Sequence, residues 1–280
     1  FDFGLSGLER GWAEDASKID REILVPFCPE SRLSGIAHTD FIPAVWYRRS
    51  FRIPEAWAGQ RVFLHFGAVD FDSRAWVNGK IVGRHYGGSS SFEYEITDAL
   101  NAGENTLTVY AQDDIRSGEQ PSGKQSTRFA SFGCFYTRVT GIWQTVWLEA
   151  RPASVLESVR VVPDLDGGRL MLSPRFVGAK SGQRFRAILE AGGGEIARAE
   201  APAANGMPLM LGVPNPRAWS PADPFLYDLR FELLEGDGAV DRVRSYAGLR
   251  KIAVDGNRIL LNNKPIFLRF VLDQGFYPDG

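Results

Sequence analysis

The chain has 280 residues, of which 24% are charged, and its formal net charge is −2. This length exceeds the usual range of one domain and predicts two domains and a remnant. The nearly balanced charge argues against a nucleic-acid surface, and no apolar run is long enough for a membrane span. Cys28 and Cys134 provide neither a disulfide framework nor zinc-type spacing, so we predict two free buried thiols rather than one long-range disulfide.

The first 150 residues have the pattern of β-strands almost throughout. Apolar and polar residues alternate in RVFLHFGAV at 61–69, which is typical of a strand with one buried face. RAWVNGKIVG at 74–83 carries Asn78-Gly79 at its centre, a pair that favours a type I′ hairpin turn. Further strands are predicted at 91–96, 106–112 and 144–150. The whole pattern predicts an antiparallel sandwich of jelly-roll type.

A second series of strands follows the break at Arg151-Pro152-Ala153. Short strands recur at regular spacing up to about residue 250, separated by Gly-rich or Pro-rich turns, which predicts an immunoglobulin-like sandwich. RILLNNKPIFLRFVL then predicts a strand, a polar turn at 262–265 and an apolar strand at 267–272. The apolar run predicts burial on both faces, as in a parallel sheet or barrel. The fold class is all-β.

The strongest candidate for chemistry is a polar stretch in the first half of the chain. Asp113 and Asp114 end a predicted strand, and IRSGEQPSGKQSTRF follows at 115–129. A loop of this length without its own structure is often functional, although a solvated loop with capping Asp residues is the alternative. Glu93 and Glu95 share one strand face, where nothing is expected to raise either pKa for acid–base catalysis. The three histidines lack metal-like spacing, and we predict neither metal nor cofactor.

Four blocks in register resemble a known family. They are WYRRSFRIPEAWAGQRVFLHFGAVDFDSRAWVNGKIVGRHYGG, FYTRVTGIWQTVWLE, AWSPADPFLYDL and GLRKIAVDGNRILLNNKPIFLRFVLDQGFYPDG. Their order and spacing are similar to the non-catalytic front half of glycoside hydrolase family 2, the β-galactosidase and β-glucuronidase family. The resemblance implies a sugar-binding jelly roll at 1–151, an immunoglobulin-like β-sandwich at 152–250 and the start of a truncated (β/α)₈ barrel at 251–280.

The resemblance implies that the parent protein is a retaining, β-galactosidase-like β-glycosidase that hydrolyses O-glycosidic bonds. In the family both catalytic glutamates lie on later barrel strands, so this chain is expected to lack them and to be inactive. A stand-alone carbohydrate-binding or adhesion module is the alternative. The expected partner is a carbohydrate, with no nucleic acid and no membrane. An unpaired strand at 267–272 also makes a homo-oligomer one expected outcome.

Substrate contacts are also implied. Where the family often reads RGVNRHE, this chain reads RFVLDQG, which puts Asp273 and Gln274 at a strand end and Gln274 at the place of a sugar-contacting His. A loop of the family's first domain reaches the active site, and here that loop is 113–138. The contacts expected from this loop are Asp113, Asp114, Lys124, Gln125 and Arg138. Ordinary loop packing and, at 273–274, strand-end hydrogen bonding are the alternatives.

Overall fold

The computed structural model describes residues 1–15 and 19–273. They form two compact units, one of residues 1–150 with Asp273 and one of Arg151–Leu272. Both units are built from antiparallel strands. The described helical segments are single 3₁₀ turns at Arg32–Ser34, Glu55–Trp57 and Thr97–Ala99. No helix in this described part is long and apolar enough to cross a membrane.

The first unit is a sandwich, as the alternation of its strands predicts. Its strands are β1 (Ala44–Arg52), β2 (Arg61–Phe66), β3 (Val69–Asp70), β4 (Asp72–Val77), β5 (Lys80–Tyr86), β6 (Phe92–Glu95), β7 (Glu104–Gln112), β8 (Gly141–Ile142) and β9 (Val146–Arg151). One sheet has the order β1-β7-β4-β5, another has the order β6-β2-β9, and β3 pairs with β8. The predicted jelly-roll class is confirmed.

The core of the first unit follows the period of two along its strands. Val62, Leu64 and Phe66 point into the core from β2 and are almost fully buried. Each such side chain contributes about 1.5–3 kcal/mol through removal of apolar surface from water. Phe63 and His65 on the opposite face are buried as well, so the prediction of one exposed face is wrong for this strand.

Between β4 and β5, Asn78 and Gly79 adopt φ values of 52° and 77°, the left-handed conformations that a type I′ turn requires. The predicted hairpin is confirmed.

The N-terminal segment covers the outer face of the larger sheet. Trp46 and Trp76 stack there with ring centroids 5.7 Å apart, and Trp12 packs edge-on against Trp46 at 6.0 Å. The buried carboxylate of Asp2 accepts hydrogen bonds from the Gly7 amide at 2.8 Å and from Trp46 Nε1 at 3.2 Å. These contacts fix the segment on the sheet, so both faces of this sheet are covered.

The second unit is also a sandwich. Its strands are β10 (Val155–Asp164), β11 (Arg169–Val177), β12 (Arg184–Ala191), β13 (Gly194–Pro202), β14 (Leu209–Gly212), β15 (Tyr227–Glu235) and β16 (Gly238–Ala247). The sheet orders are β10-β11-β14 and β13-β12-β15-β16. The predicted immunoglobulin-like class is confirmed. Leu170, Leu211, Phe185 and Leu229 are among the buried side chains that form its core.

An ionic network crosses the outer face of the four-stranded sheet. Glu232 on β15 is 4% exposed and accepts hydrogen bonds from Arg186 at 3.2 Å and from Arg230 at 2.8 Å. Arg186 also donates to Glu200 on β13 at 2.6 Å. Because a buried carboxylate without partners is costly, these pairs favour one register of the neighbouring strands.

A small sheet follows the second sandwich. It contains β17 (Ile252–Asp255), β18 (Arg258–Leu261) and β19 (Lys264–Pro265). Asn262 and Asn263 form the predicted turn with positive φ values. The Asn262 side chain donates to the Trp219 carbonyl at 3.0 Å, and that of Asn263 donates to Asp166 at 2.9 Å. The turn is therefore tied to loops of the same unit.

The prediction of a buried strand at 267–272 is wrong for this structure. Residues 266–273 form no strand, and the side chains of Phe267, Phe270, Val271 and Leu272 are 84–92% exposed. The sheet orders of the described residues place no strand beside residues 267–272, so this segment has no sheet to join. The cysteine prediction is right in one respect, since both thiols are free, and wrong in the other, since Cys134 is exposed.

A glycine on β5 allows a test of the packing. A Cβ at Gly83 would lie 2.1 Å from the Tyr94 ring, so Gly83→Ala must displace that ring. We expect the free energy of unfolding to fall by about 1–3 kcal/mol, measured by urea unfolding with tryptophan fluorescence. Gly4→Ala is the control, because its nearest atom would be 3.8 Å away. An unchanged urea midpoint for Gly83→Ala would contradict this packing.

Candidate functional site

The candidate site involves the long connection between β7 and β8, residues 113–140. Part of this connection folds back on itself. The Ser126 amide donates to the Tyr136 carbonyl at 2.7 Å, and the Tyr136 amide donates to the Lys124 carbonyl at 2.8 Å. Apart from such short pairings the connection has no strand of its own. Its conformation must therefore be fixed by contacts with the sandwich.

Three buried carboxyl groups accept hydrogen bonds from this connection. Glu30 accepts from the Thr140 amide at 3.1 and 3.2 Å, through its two oxygens. Asp113 accepts from the side chains of Gln120 at 2.7 Å and Thr140 at 3.3 Å. All three carboxyl-bearing residues, Glu30, Asp70 and Asp113, are 2–6% exposed. Glu30 and Asp70 thus join the connection to the rest of the first unit, while the contacts of Asp113 lie within the connection itself.

Gln125 forms the bridge to the third carboxyl group. Its Nε2 donates to Asp70 Oδ2 at 2.7 Å, and its Oε1 accepts from the Val139 amide at 2.8 Å. The second oxygen of Asp70 is buried and has no hydrogen-bond partner among the described residues. A Cβ at Gly88 would lie 2.5 Å from that oxygen, so the carboxyl group is tightly enclosed. Both ends of the Gln125 side chain are used inside the protein.

Burial raises the pKa of all three carboxyl groups. For Glu30, desolvation raises the pKa from 4.5 to about 7, although the hydrogen bonds from Thr140 oppose the shift. Burial, and then the charge of Asp113, raises the pKa of Asp70. Burial also raises the pKa of Asp113, against hydrogen bonds from Gln120 and Thr140. The cluster is therefore most stable when its carboxyl groups are protonated.

Arg138 holds the end of the connection through main-chain carbonyl groups. The side chain is 1% exposed, and burial lowers its pKa. The carbonyl oxygens that accept from its two Nη atoms belong to Thr39, Ser126, Arg128 and Phe129. Its guanidinium carbon lies 4.2 Å from the centre of the Phe41 ring. Arg138 thus connects the segment around residue 40 with the connection between β7 and β8.

An open cleft of about 360 Å³ lies beside these groups. Its walls include three aromatic side chains and five charged ones, namely Phe3, Phe41, Phe129, Asp40, Asp113, Asp114, Arg116 and Arg138. The Arg116 guanidinium lies 3.8 Å from the Phe41 ring centre, and Phe129 packs edge-on against Phe41 at 5.3 Å. Carboxylates and guanidinium groups can hydrogen-bond hydroxyls, while the exposed rings offer an apolar face. This combination suits a small polar ligand with an apolar side.

The structure separates the predicted contact residues into groups. Asp113, Asp114 and Arg138 line the cleft, whereas Lys124 and Gln125 do not. Gln125 is buried as the bridge to Asp70, and Lys124 is half-buried. Asp273 is exposed and does not line the cleft either. Gln274 lies outside the described residues.

Sequence reasoning missed half of the site. Asp40 and Phe41 line the cleft, and Arg116 lines it from within the predicted loop, although it was not named as a contact. Glu30 and Asp70 accept hydrogen bonds from the connection that borders the cleft. No motif marks these residues, since a buried acid looks the same in the sequence as a surface acid. The one usable signal was Asp70 itself, which directly follows the apolar residues Ala68 and Val69.

The glutamate pair on β6 has the ordinary role that the sequence predicts. Arg61 donates to both oxygens of Glu95, at 2.9 and 2.7 Å, and these hydrogen bonds lower the Glu95 pKa. Glu93 lies 3.3 Å from Nδ1 of His65. Within the described ranges, no group of three His, Cys, Asp or Glu side chains is arranged to hold a metal ion.

Comparisons with protein families match both units of the chain. Residues 34–152 match the model described as "Glycosyl hydrolases family 2, sugar binding domain", and residues 178–250 match "Glycosyl hydrolases family 2". Together the matches cover about two thirds of the chain, in the order that the four sequence blocks predict. These domains define a class of carbohydrate-active proteins. The chain belongs to glycoside hydrolase family 2.

The individual relatives of this chain are β-glucuronidases and β-galactosidases. A β-glucuronidase of Paenibacillus borealis is 26% identical, over 94% of this chain and 46% of the relative. The mouse β-glucuronidase is 23% identical, and the match covers 95% of this chain and 45% of the relative. A β-galactosidase of Thermoanaerobacter pseudethanolicus is 24% identical, and the match covers 80% of this chain and 31% of the relative. The chain spans less than half the length of these relatives.

Solved structures share the fold. A β-glucuronidase from Ruminococcus gnavus, in complex with D-glucaro-d-lactam, matches with a TM-score of 0.79 at 23% identity, over 96% of this chain and 46% of that one. A β-glycosidase from Bacteroides vulgatus matches with a TM-score of 0.68 at 24% identity, and the match covers 80% of this chain and 28% of that one. At this level of identity the likeness shows the fold.

The raised pKa of Glu30 predicts how stability depends on pH. The folded state binds the Glu30 proton more tightly than the unfolded state does. Protonated Glu30 therefore contributes its full stability below about pH 4.5, and this contribution is lost as the pH rises to about 7. Glu30→Gln keeps an acceptor for the Thr140 amide without the charge. The difference in the free energy of unfolding, variant minus natural chain, should be about 2 kcal/mol more favourable at pH 8 than at pH 5.

Thermal or urea unfolding at the two pH values measures this difference. Asp98→Asn, which removes an exposed carboxylate after β6, is the matched control and should show the same difference as the natural chain. Equal pH dependence in the Glu30→Gln variant and the natural chain would contradict the assignment.

Proposed function

We propose that this chain forms the non-catalytic, carbohydrate-facing front part of a retaining β-glycosidase that is β-galactosidase-like. The observation that carries the proposal is the cleft of the first unit, where hydroxyl-binding side chains lie beside exposed aromatic rings. The matched family model for this unit describes a sugar binding domain. The relatives are β-glucuronidases and β-galactosidases, which supports a glycosidase as the parent protein.

Within this proposal the predicted contacts have different roles. Asp113 and Asp114 border the carbohydrate, and Arg138 positions the walls of the cleft through its hydrogen bonds to carbonyl groups. Gln125 is a positioning residue, because both ends of its side chain are bonded inside the protein. The role of Lys124, Asp273 and Gln274 as substrate contacts remains a prediction.

The chain by itself is proposed to be inactive. Retaining glycosidases need two carboxyl groups about 5 Å apart, one as nucleophile and one as acid and base. In (β/α)₈ barrels such groups come from the carboxyl ends of several different strands. The described residues form no closed barrel. Catalysis by the parent protein is therefore proposed to depend on residues outside these two sandwiches.

Release of nitrophenol from nitrophenyl β-glycosides tests the proposal. The panel contains the β-galactoside, β-glucuronide, β-glucoside and β-mannoside. It is run on the 280-residue chain and on the protein extended through the continuation of its gene. We expect hydrolysis by the extended protein alone, with retention of the anomeric configuration.

Two results would contradict the proposal. Hydrolysis by the 280-residue chain at the rate of the extended protein would overturn its inactivity. A folded extended protein that hydrolyses none of the four glycosides would overturn the glycosidase assignment and favour the stand-alone binding module.

A further inference from the structure

We propose that the cleft of the first unit binds a neutral pyranose and discriminates against a uronic acid. The inference rests on the proposed function for its carbohydrate partner and adds the charge class of the sugar. It concerns five side chains that line the cleft, namely Asp40, Phe41, Asp114, Arg116 and Phe129. Their charges and their engagement with the rest of the protein carry the argument.

Two exposed carboxylates are fixed at the cleft by their own main chain. Asp40 Oδ1 accepts from the Phe41 amide at 2.6 Å, and Asp114 Oδ1 accepts from the Arg116 amide at 3.3 Å. Such local hydrogen bonds hold the short Asp side chains in one direction. Each carboxylate keeps further acceptor capacity, which a sugar hydroxyl can use as a donor. A sugar hydroxyl can donate to these carboxylates, whereas the carboxylate of a ligand has no donor and is repelled by them.

The positive charges at the cleft are less available than their number suggests. The Nη atoms of Arg138 are occupied by four main-chain carbonyl groups, and the side chain is 1% exposed. It therefore cannot form a bidentate pair with a ligand carboxylate. Arg116 is exposed, but its guanidinium lies over the Phe41 ring at 3.8 Å. Arg138 still contributes its positive charge, so the lining holds three carboxyl groups, Asp40, Asp113 and Asp114, against two guanidinium groups. The excess is one negative charge when all five groups are ionised.

The aromatic wall suits the apolar face of a pyranose ring. Phe129 is 66% exposed, and its ring is held edge-on against Phe41 at a centroid distance of 5.3 Å. Pyranose C–H groups can pack on such a ring while the hydroxyls turn to the carboxylates. This contact is the same for a neutral sugar and its uronic acid, so the charge at C6 decides between them.

Simple electrostatics gives the size of the discrimination. One excess negative charge about 5 Å from a ligand carboxylate, in a water-like medium, weakens binding about fourfold. Salt screens such an exposed interaction, and the difference should shrink when the Debye length falls below the distance across the cleft. The discrimination is therefore expected to be modest and dependent on ionic strength.

Methyl β-D-glucopyranoside and methyl β-D-glucuronide form a suitable pair of probes, because they differ only at C6. Each is titrated into the 280-residue chain at pH 7.5 and about 20 mM salt, and amide shifts are followed by NMR. We expect shifts at the amides of Asp114, Arg116 and Phe129. The glucuronide should bind about fourfold more weakly, and the difference should fall at about 300 mM salt.

Substitutions separate the charge effect from unspecific binding. Asp114→Asn should bring the two dissociation constants within about twofold, since one repelling charge is gone. Glu119→Gln is the matched control: it removes an equal charge from an exposed residue of the same connection that does not line the cleft, and it should leave the ratio unchanged. Phe129→Ala should weaken both ligands alike.

Two results would overturn the inference. One is a glucuronide that binds as tightly as the glucoside, or more tightly, at low salt. The other is the absence of shifts at the cleft amides with both sugars. Neither result bears on hydrolysis by the extended protein, so the inference and the proposed glycosidase can fail separately.

Discussion

The first unit depends on three buried carboxyl groups that accept hydrogen bonds from one long connection. Burial of a carboxyl group is unfavourable unless its oxygens find donors, so Glu30, Asp70 and Asp113 each need the partners that they have. Those partners, Gln120, Gln125 and Thr140 among them, belong to residues 113–140. The connection cannot move away without leaving buried oxygens unpaired. The cleft walls formed by this connection are therefore largely preorganised.

Preorganisation has a consequence for ligand binding. The groups that border the cleft, such as Asp114 and Phe129, are exposed, whereas those that position them are buried. A ligand then does not have to order the connection, which reduces the entropic cost of binding. Glu30 does not line the cleft, but burial raises its pKa to about 7, so its hydrogen bonds with Thr140 are expected to depend on pH.

Most of the fold could be predicted from the sequence, because side chains that point into a core recur with a period of two along a strand, although in β2 the opposite face is buried as well. The alternation in β2 gave the inward side chains, and Asn78-Gly79 gave the hairpin between β4 and β5. The apolar run from Phe267 to Leu272 misled the same reasoning. Composition indicates that a segment can be a buried strand, but it does not show whether a partner strand is present to pair with it.

The site could be predicted only in part. A long polar stretch after a strand correctly drew attention to Asp113 and Asp114, which line the cleft. Gln125 has the same polar character, yet its partners Asp70 and Val139 consume both ends of its side chain. Such partners lie far apart in the sequence and come together only through the packing of the sandwich. Single-sequence patterns do not contain that information.

Amide hydrogen exchange at Val139 and Thr140 tests the central claim most directly. These two amides donate to Gln125 Oε1 and to Glu30, and so report on the buried contacts of the connection. The account predicts protection comparable to that of core strand amides such as those of β7, with fast exchange at exposed positions such as Gly118. Exchange at Val139 and Thr140 as fast as at Gly118 would contradict a connection held by buried carboxyl groups.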